Sequence, residues 1–294
     1  MAENPLIFDR ALLRLRRRRA MALGPATFLL DRVADDMADR LAAVLRRFDV
    51  AVDLATPGPA VRTAIARLGS VGTIVAADAI SGGTVIADEE MLPFGDATID
   101  LVVSALALQF ANDLPGVLVQ IRRALKPDGL FLAALLGGET LTELRQSFAE
   151  AESDLEGGVS PRVAPFADLR DLGALLQRAG FALPVTDADR VTVRYDTAFA
   201  LMHDLRRMGA TNVLLARRRR TPLRRATLLR MAEIYSSRFA DPNGRVRATF
   251  EIVWLSGWAP HPDQQQPLRP GSAKTRLADA LGAREISAGE KAER

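Results

Sequence analysis

The segment from Phe48 to Arg62 constrains the fold of this chain more than any other. Residues 50–54 are mostly apolar or β-branched, with the carboxylate of Asp53 near their end. A tight turn follows at residues 56–59, and apolar residues then recur at helical spacing over residues 61–68. Strand, turn and helix in this order form the opening unit of an open α/β sheet. In such sheets ligands bind at the carboxyl ends of the strands, so we expect the functional site beside Asp53.

Three further apolar segments end in polar side chains. The segments are residues 73–77, 84–87 and 99–103, and the residues that end them are Asp78, Asp88 and Ser104. An ionised carboxylate only accepts hydrogen bonds. Acids at strand ends therefore suit ribose hydroxyls and an adenine amine, which are donors.

The link between Asp78 and Thr84 is short. A crossover between parallel strands normally needs a dozen or more residues, usually including a helix. Either this connection has lost its helix, or the two strands are not parallel neighbours.

The turn after the first strand departs from the pattern that a nucleotide-type ligand requires. Ala55, Pro57 and Pro59 stand where glycines are expected, and glycines there let bare backbone approach the ligand. Each proline also removes an N–H donor and holds φ near −65°. The sheet pattern is intact, but its ligand-binding turn is altered.

Composition excludes several kinds of site. The 294 residues include no cysteine and two histidines, so disulfides, thiolate chemistry and a histidine-rich metal site are excluded, and we predict no metal. The net charge is +3, and arginines cluster at residues 14–19 and 217–225. These clusters suit a solvated helix face, an acidic protein partner, an anionic membrane surface or RNA. Aromatic residues make up only 5% of the chain, which argues against nucleic acid as a partner.

The periodicity predicts how the rest of the chain is organised. Residues 1–47 are expected to form helices that cover the sheet, residues 48–258 the α/β domain, and residues 259–294 a largely disordered tail. Within the domain, residues 156–240 are expected to form a lid and a helical insertion. No apolar stretch reaches the ~18 residues of a transmembrane helix, so we expect a cytoplasmic protein with at most peripheral membrane contact.

Several motifs together resemble the class I S-adenosylmethionine-dependent methyltransferases. Those shared with the class are Asp53, Asp78, Asp88 with residues 92–94, residues 99–104 and residues 125–129. A second set resembles the mitochondrial complex I assembly-factor subfamily, which is related to malonyl-carrier-protein methyltransferases. These motifs are Phe8-Asp9-Arg10 and residues 87–90, 112–115, 137–138, 140–145, 156–161, 171–173, 178–181 and 208–209.

The resemblance implies a Rossmann-like sheet of seven strands with helices on both faces and an S-adenosylmethionine cleft. By position, Asp53 would orient the amino-acid end of the cofactor through the turn at Ala55, and Asp78 would bind the ribose hydroxyls. Asp88 would accept from the adenine amine, with the Glu89 backbone beside it. Ser104 would face the methyl donor and the acceptor.

The resemblance also implies a protein client. Its mitochondrial member is linked to hydroxylation of an arginine on a peripheral-arm subunit of NADH–quinone oxidoreductase, which implies a location peripheral to the inner membrane. Two positions differ from the relatives, since Gln109 replaces a histidine and Phe110 a tryptophan. Two hypotheses follow: an S-adenosylmethionine-dependent enzyme acting on a respiratory subunit, or a non-catalytic assembly factor with a degenerate cofactor site. No nucleophile–base or acid–base pair can be identified by spacing, so no catalytic residue is assigned.

Overall fold

The computed structural model describes residues 6–80, 83–216, 223–265, 275 and 277–283. The chain divides into one unit that ends at Pro260 and a second that begins at His261. The arginine cluster at residues 217–220 and most of the predicted tail lie outside the described residues. In the second unit, residues Leu277–Leu281 form a short helix.

The described residues form one mixed sheet in the order β2-β1-β3-β4-β6-β5. Its strands are β1 (Phe48–Leu54), β2 (Val71–Ala77), β3 (Ile99–Ala105), β4 (Leu125–Leu136), β5 (Ala182–Tyr195) and β6 (Val246–Trp258). The first four strands are parallel, and β6 runs antiparallel to both β4 and β5. The predicted Rossmann-like α/β fold is confirmed.

Across the residues that the structure describes, the sheet has six strands where the resemblance implies seven. In place of the strand expected at residues 84–87, Val85 forms a single parallel bridge with Ala77. The Val85 N–H donates to the Ala76 carbonyl at 3.0 Å, and the Asp78 N–H donates to the Val85 carbonyl at 3.2 Å. The segment after the short link therefore runs parallel to β2, and Val85 is the only one of residues 84–87 that forms a bridge with it.

Helices cover both faces of this sheet. They are α1 (Arg10–Ala22), α2 (Phe28–Ala42), α3 (Ala60–Ile65), α4 (Leu114–Ala124), α5 (Thr142–Glu156), α6 (Leu169–Arg178), α7 (Ala198–Arg207) and α8 (Arg225–Phe239). One core lies between the sheet and α2, α3, α5, α7 and α8, and the other between the sheet and α4 and α6. Adjacent strand residues serve opposite cores, as Ala51 and Val52 of β1 do. Strands buried on both faces explain the uninterrupted apolar runs in the sequence.

Residues 1–47 were expected to form helices, and the first of these begins at Arg10, because the Asp9 carboxylate accepts from the Leu12 N–H at 2.9 Å and caps the helix. Among the described residues, no helix combines the length and the apolar character needed to cross a membrane.

Candidate functional site

A cavity of about 610 Å³ lies where the parallel strands end. The turn after β1 contributes residues 57–60 to its wall, and β2 contributes Asp78 at its carboxyl end. Leu106 and Leu136 line it where β3 and β4 end, and α1 contributes Arg17. The cavity is therefore at the edge of the sheet that the sequence predicted for ligand binding.

The turn after β1 keeps a glycine-like backbone without glycine at its first position. Ala55 has φ of 58°, in the left-handed region that side chains other than glycine rarely adopt. Its N–H donates to the Ala77 carbonyl at 2.7 Å, and the Thr56 hydroxyl accepts from the Ala105 N–H at 3.1 Å. These bonds to β2 and β3 hold the strained residue in place, so Ala55 adopts a backbone conformation that glycine would adopt without strain.

Asp53 is buried beneath this turn and is not one of the residues that line the cavity. The residue is 2% exposed, and neither carboxylate oxygen has a hydrogen-bond partner. Arg62 of α3 lies 3.5 Å from its Oδ2 and also donates to the Gly58 carbonyl at 2.9 Å. Burial raises the pKa of Asp53 to about 6. Arg62 thus joins the buried acid to the turn.

Asp78 and Ser104 differ in how they face the cavity. Asp78 lines it, is 8% exposed, and its Oδ1 accepts from the Ile80 N–H at 3.0 Å. The Ser104 hydroxyl donates to the Leu54 carbonyl of β1 at 2.8 Å and is buried within the sheet. Ser104 therefore ties two strands together, and its hydroxyl is not part of the cavity wall.

Asp88 and Glu89 are bound by arginines of α1. Arg10 Nη2 lies 2.5 Å from Asp88 Oδ1 and 2.8 Å from Glu89 Oε1, while its Nη1 lies 2.8 Å from Glu90 Oε2. Arg14 Nη2 lies 2.7 Å from Asp88 Oδ2. Burial tends to raise the pKa of Asp88, but the two guanidinium groups and the Glu90 N–H hold it below its ordinary value.

The start of α1 is held against the same acidic turn from a second direction. The Asn112 side-chain carbonyl accepts from the Ile7 and Phe8 N–H groups at 2.8 and 2.7 Å. The Asn112 N–H in turn donates to Glu90 Oε1 at 2.5 Å. Residues 7–10, the acidic turn at 88–90 and Asn112 thus form one bonded unit, although they are far apart in sequence.

Sequence reasoning did not assign two residues of the cavity wall, Arg17 and Gln109. Both are only 9% exposed. Arg17 was counted among the arginines of one charged cluster, but in α1 it is buried on the same face as Leu13 and Ala20. Spacings of four and three residues put these side chains on one helical stripe. An arginine on an apolar stripe was the signal that could have identified it.

The sheet order, the position of the cavity and the motifs at its edge define a class I S-adenosylmethionine-dependent methyltransferase-like protein. Residues 60–133 match the family described as "Methyltransferase domain". The chain is 38% identical to the mitochondrial arginine-hydroxylase NDUFAF5 of Danio rerio over 93% of this chain and 89% of that one. The chain belongs to the NDUFAF5 family, and the resemblance predicted from its motifs is confirmed.

Two more distant comparisons agree with this assignment. The chain is 39% identical to the malonyl-[acyl-carrier protein] O-methyltransferase of Laribacter hongkongensis over 64% of this chain and 60% of that one. Among solved structures, protein BH2331 of Bacillus halodurans superposes with a TM-score of 0.50 at 18% identity, over 76% of this chain and 97% of that one. At that identity the superposition speaks for the fold alone.

Proposed function

We propose that this chain binds S-adenosylmethionine in the cavity and acts on an arginine side chain of a protein client. The observation that carries the proposal is the identity to relatives named arginine-hydroxylase, which extends over nine-tenths of the chain. The client that we propose is a subunit of respiratory NADH–quinone oxidoreductase, as implied by the complex I assembly-factor subfamily.

The residues at the cavity fit the cofactor. Asp78 stands at the end of β2 with its carboxylate in the wall, where it would bind the ribose hydroxyls. The left-handed backbone at Ala55 preserves the shape of the turn on which the amino-acid end would lie. When bound, S-adenosylmethionine supplies an electrophilic methyl group on a sulfonium centre.

Asp88 lies outside the residues that line the cavity, but its carboxylate keeps one acceptor position in spite of its two arginines. A carboxylate offers about four lone-pair positions. Oδ1 uses two of them for Arg10 and the Glu90 N–H, and Oδ2 uses one for Arg14. One position on Oδ2 is left to accept from the adenine amine, and the arginines fix the direction in which it points.

A second candidate function is a non-catalytic assembly factor that retains the sheet and holds a client on its surface. Pro57 and Pro59 favour it, because both lie in the cavity wall and neither can donate a backbone hydrogen bond to a ligand. In this case the ion pairs of α1 with the acidic turn would stabilise the fold rather than orient a cofactor contact.

Cofactor binding separates the two candidates, and thermal unfolding measures it. S-adenosylhomocysteine at a hundredfold excess over its dissociation constant should add roughly 2.7 kcal/mol, or several degrees at about 2–4 °C per kcal/mol. Asp78→Asn should reduce this shift, while the matched variant Asp49→Asn, at an exposed position on β1, should retain it. No shift in the unaltered protein would overturn the enzyme proposal in favour of the assembly factor.

Location remains a prediction within this proposal. The relatives carry the word mitochondrial in their names. We propose that this chain is a cytoplasmic protein that works on the side of the inner membrane where NADH–quinone oxidoreductase subunits are assembled. Its contact with the membrane is at most peripheral.

A further inference from the structure

Arg17 is a buried cation in the cavity wall. Its side chain extends from α1 into the wall, and its guanidinium carbon lies 5.8 Å from the centre of the Phe110 ring. Across the part of the chain that the structure describes, its guanidinium makes no salt bridge or hydrogen bond. An arginine stays protonated in proteins, and a buried charge without a partner is costly. The site therefore calls for an anion that the protein itself does not supply.

Neighbouring charges do not remove this requirement. Burial lowers the pKa of Arg17, and the nearby carboxylates of Glu89 and Asp78 act in the opposite direction without forming a salt bridge to it. Glu89 is already bound to Arg10. Arg10 is a second cation near Arg17, so the negative charge of Glu89 and Asp78 is shared between two arginines. The guanidinium of Arg17 therefore remains available to a ligand.

The backbone around Arg17 holds it in position. Gly209, which follows the end of α7 with φ of 69°, packs so closely on α1 that a Cβ there would stand 3.0 Å from Arg17 Cα. A side chain at position 209 would therefore push α1 and its arginine away. The close approach makes Arg17 a fixed feature of the wall rather than a mobile surface cation.

Gln109 supplies the complementary acceptor at the same end of the cavity. Its side-chain carbonyl oxygen is buried and has no hydrogen-bond partner. Gln109 directly precedes Phe110, whose ring faces the Arg17 guanidinium, and both residues line the cavity. The Arg17 guanidinium can bind a carboxylate, and the Gln109 carbonyl oxygen can accept from an ammonium group. An α-amino acid carries both of these groups.

We infer that Arg17 and Gln109 form the subsite for the α-amino-acid end of the cofactor, with its carboxylate on Arg17 and its ammonium on Gln109. The inference rests on the proposed function, because it takes the cavity to be the cofactor cleft. The inference assigns a binding function to Arg17, whereas the other arginines of residues 14–19 fit a solvated helix face. It also explains how the amino-acid end is held where Pro57 and Pro59 have removed backbone donors.

The test compares two ligands that differ in the amino-acid end. S-adenosylhomocysteine carries it, and 5′-methylthioadenosine lacks it. Isothermal titration calorimetry would give both dissociation constants for the unaltered protein, for Arg17→Gln, and for Arg18→Gln as a matched exposed control on the same helix. Arg17→Gln should weaken S-adenosylhomocysteine about 10- to 100-fold, the loss expected for a charge-assisted hydrogen bond, and leave methylthioadenosine within about twofold. Arg18→Gln should change neither.

Each other outcome overturns the inference. Equal weakening of both ligands in Arg17→Gln and also in Arg17→Lys would make Arg17 structural, because the inference requires Arg17→Lys to recover methylthioadenosine while still binding S-adenosylhomocysteine weakly. Unchanged binding of S-adenosylhomocysteine to Arg17→Gln would remove the cofactor's carboxylate from this subsite. Unaltered protein that binds neither adenosine ligand would remove the proposed function itself, a result distinct from a failure of Arg17 alone.

Discussion

Arg10 Nη2 and Asp88 Oδ1 lie 2.5 Å apart and join the N-terminal helix to the acidic turn at the edge of the sheet. The same guanidinium also binds Glu89, whose side chain is only 9% exposed. Arg10 therefore contacts all three acids of the turn at residues 88–90, and Arg14 supplies a second positive charge at Asp88.

Replacing Arg10 with alanine should destabilise the protein by about 2 kcal/mol, between the values for exposed and buried ion pairs. The loss arises because Glu89 would stay largely buried without its cation. Urea unfolding would measure it, and Arg18→Ala, which removes an exposed arginine from the same helix, should change the free energy of unfolding by less than about 0.5 kcal/mol. Equal effects of the two variants would show that the contact with the acidic turn does not stabilise the fold.

Replacing Ala55 with glycine should stabilise the protein, against the usual direction of an alanine-to-glycine change. The left-handed backbone at position 55 destabilises the folded protein by about 1–2 kcal/mol when the residue is alanine, and glycine removes this strain. Glycine also gives the unfolded chain more conformational entropy, which offsets part of the gain, so a net stabilisation of about 0.5–1 kcal/mol is expected. In contrast, Ala64→Gly inside α3 should cost about 1 kcal/mol. Denaturant midpoints of both variants check the prediction, and a loss at position 55 would contradict it.

Asp53 should make the protein less stable as the pH rises. Its pKa is about 6 in the folded protein and near 3.8 when unfolded, so between these values the folded state binds the proton more tightly. Stability from this group is therefore greatest below about pH 4 and is lost as the pH rises through about 6. The advantage of Asp53→Asn over the unaltered protein should grow by about 2 kcal/mol between about pH 4.5 and about pH 8.

Urea unfolding at the two pH values gives this difference directly. Other acids titrate in both proteins and cancel in the comparison. Asp49→Asn, at an exposed position on the same strand, should show no such growth. An advantage of Asp53→Asn that stays constant with pH would mean that Asp53 is ionised at both values.

Replacing Arg162 with alanine should destabilise the loop that follows α5. Glu152 is fully buried, and it accepts from Arg162 Nε and from the Ser160 N–H, both at 2.6 Å. Removing the arginine leaves a buried carboxylate without its counter-ion, at a cost of about 3–5 kcal/mol. Urea unfolding measures this cost, and hydrogen exchange should quicken over residues 157–163.

The matched control for this loop is Arg230→Ala. It breaks an exposed ion pair between Arg230 and Asp154, which lies on α5 as Glu152 does, and should change the free energy of unfolding far less than Arg162→Ala. Combining Glu152→Gln with Arg162→Ala should cost less than the sum of the single changes, because the unpaired charge is gone. Strictly additive costs would exclude the coupling.

Local patterns were enough to predict most of the sheet and its ligand-binding edge. Apolar segments predicted the four parallel strands, and Asp78, the acid after β2, lies in the wall of the cavity at their ends. The strand predicted at residues 84–87 did not form. Residues 84–87 have strand composition, but the short link from Asp78 leaves room for only one bridge, at Val85.

The sequence by itself determined the fold class and the resemblance, because strand and helix periodicity and short motifs are properties of neighbouring residues. Only the tertiary structure decided which charged groups meet. It brought Arg10 to Asp88 across 78 positions, bound the Ser104 hydroxyl to β1, and buried Arg17 alone among the arginines at positions 16–19. The sequence states which side chains are charged. The contribution of each charge to the stability of the folded protein depends on its burial and on its partner, and distant parts of the chain decide both.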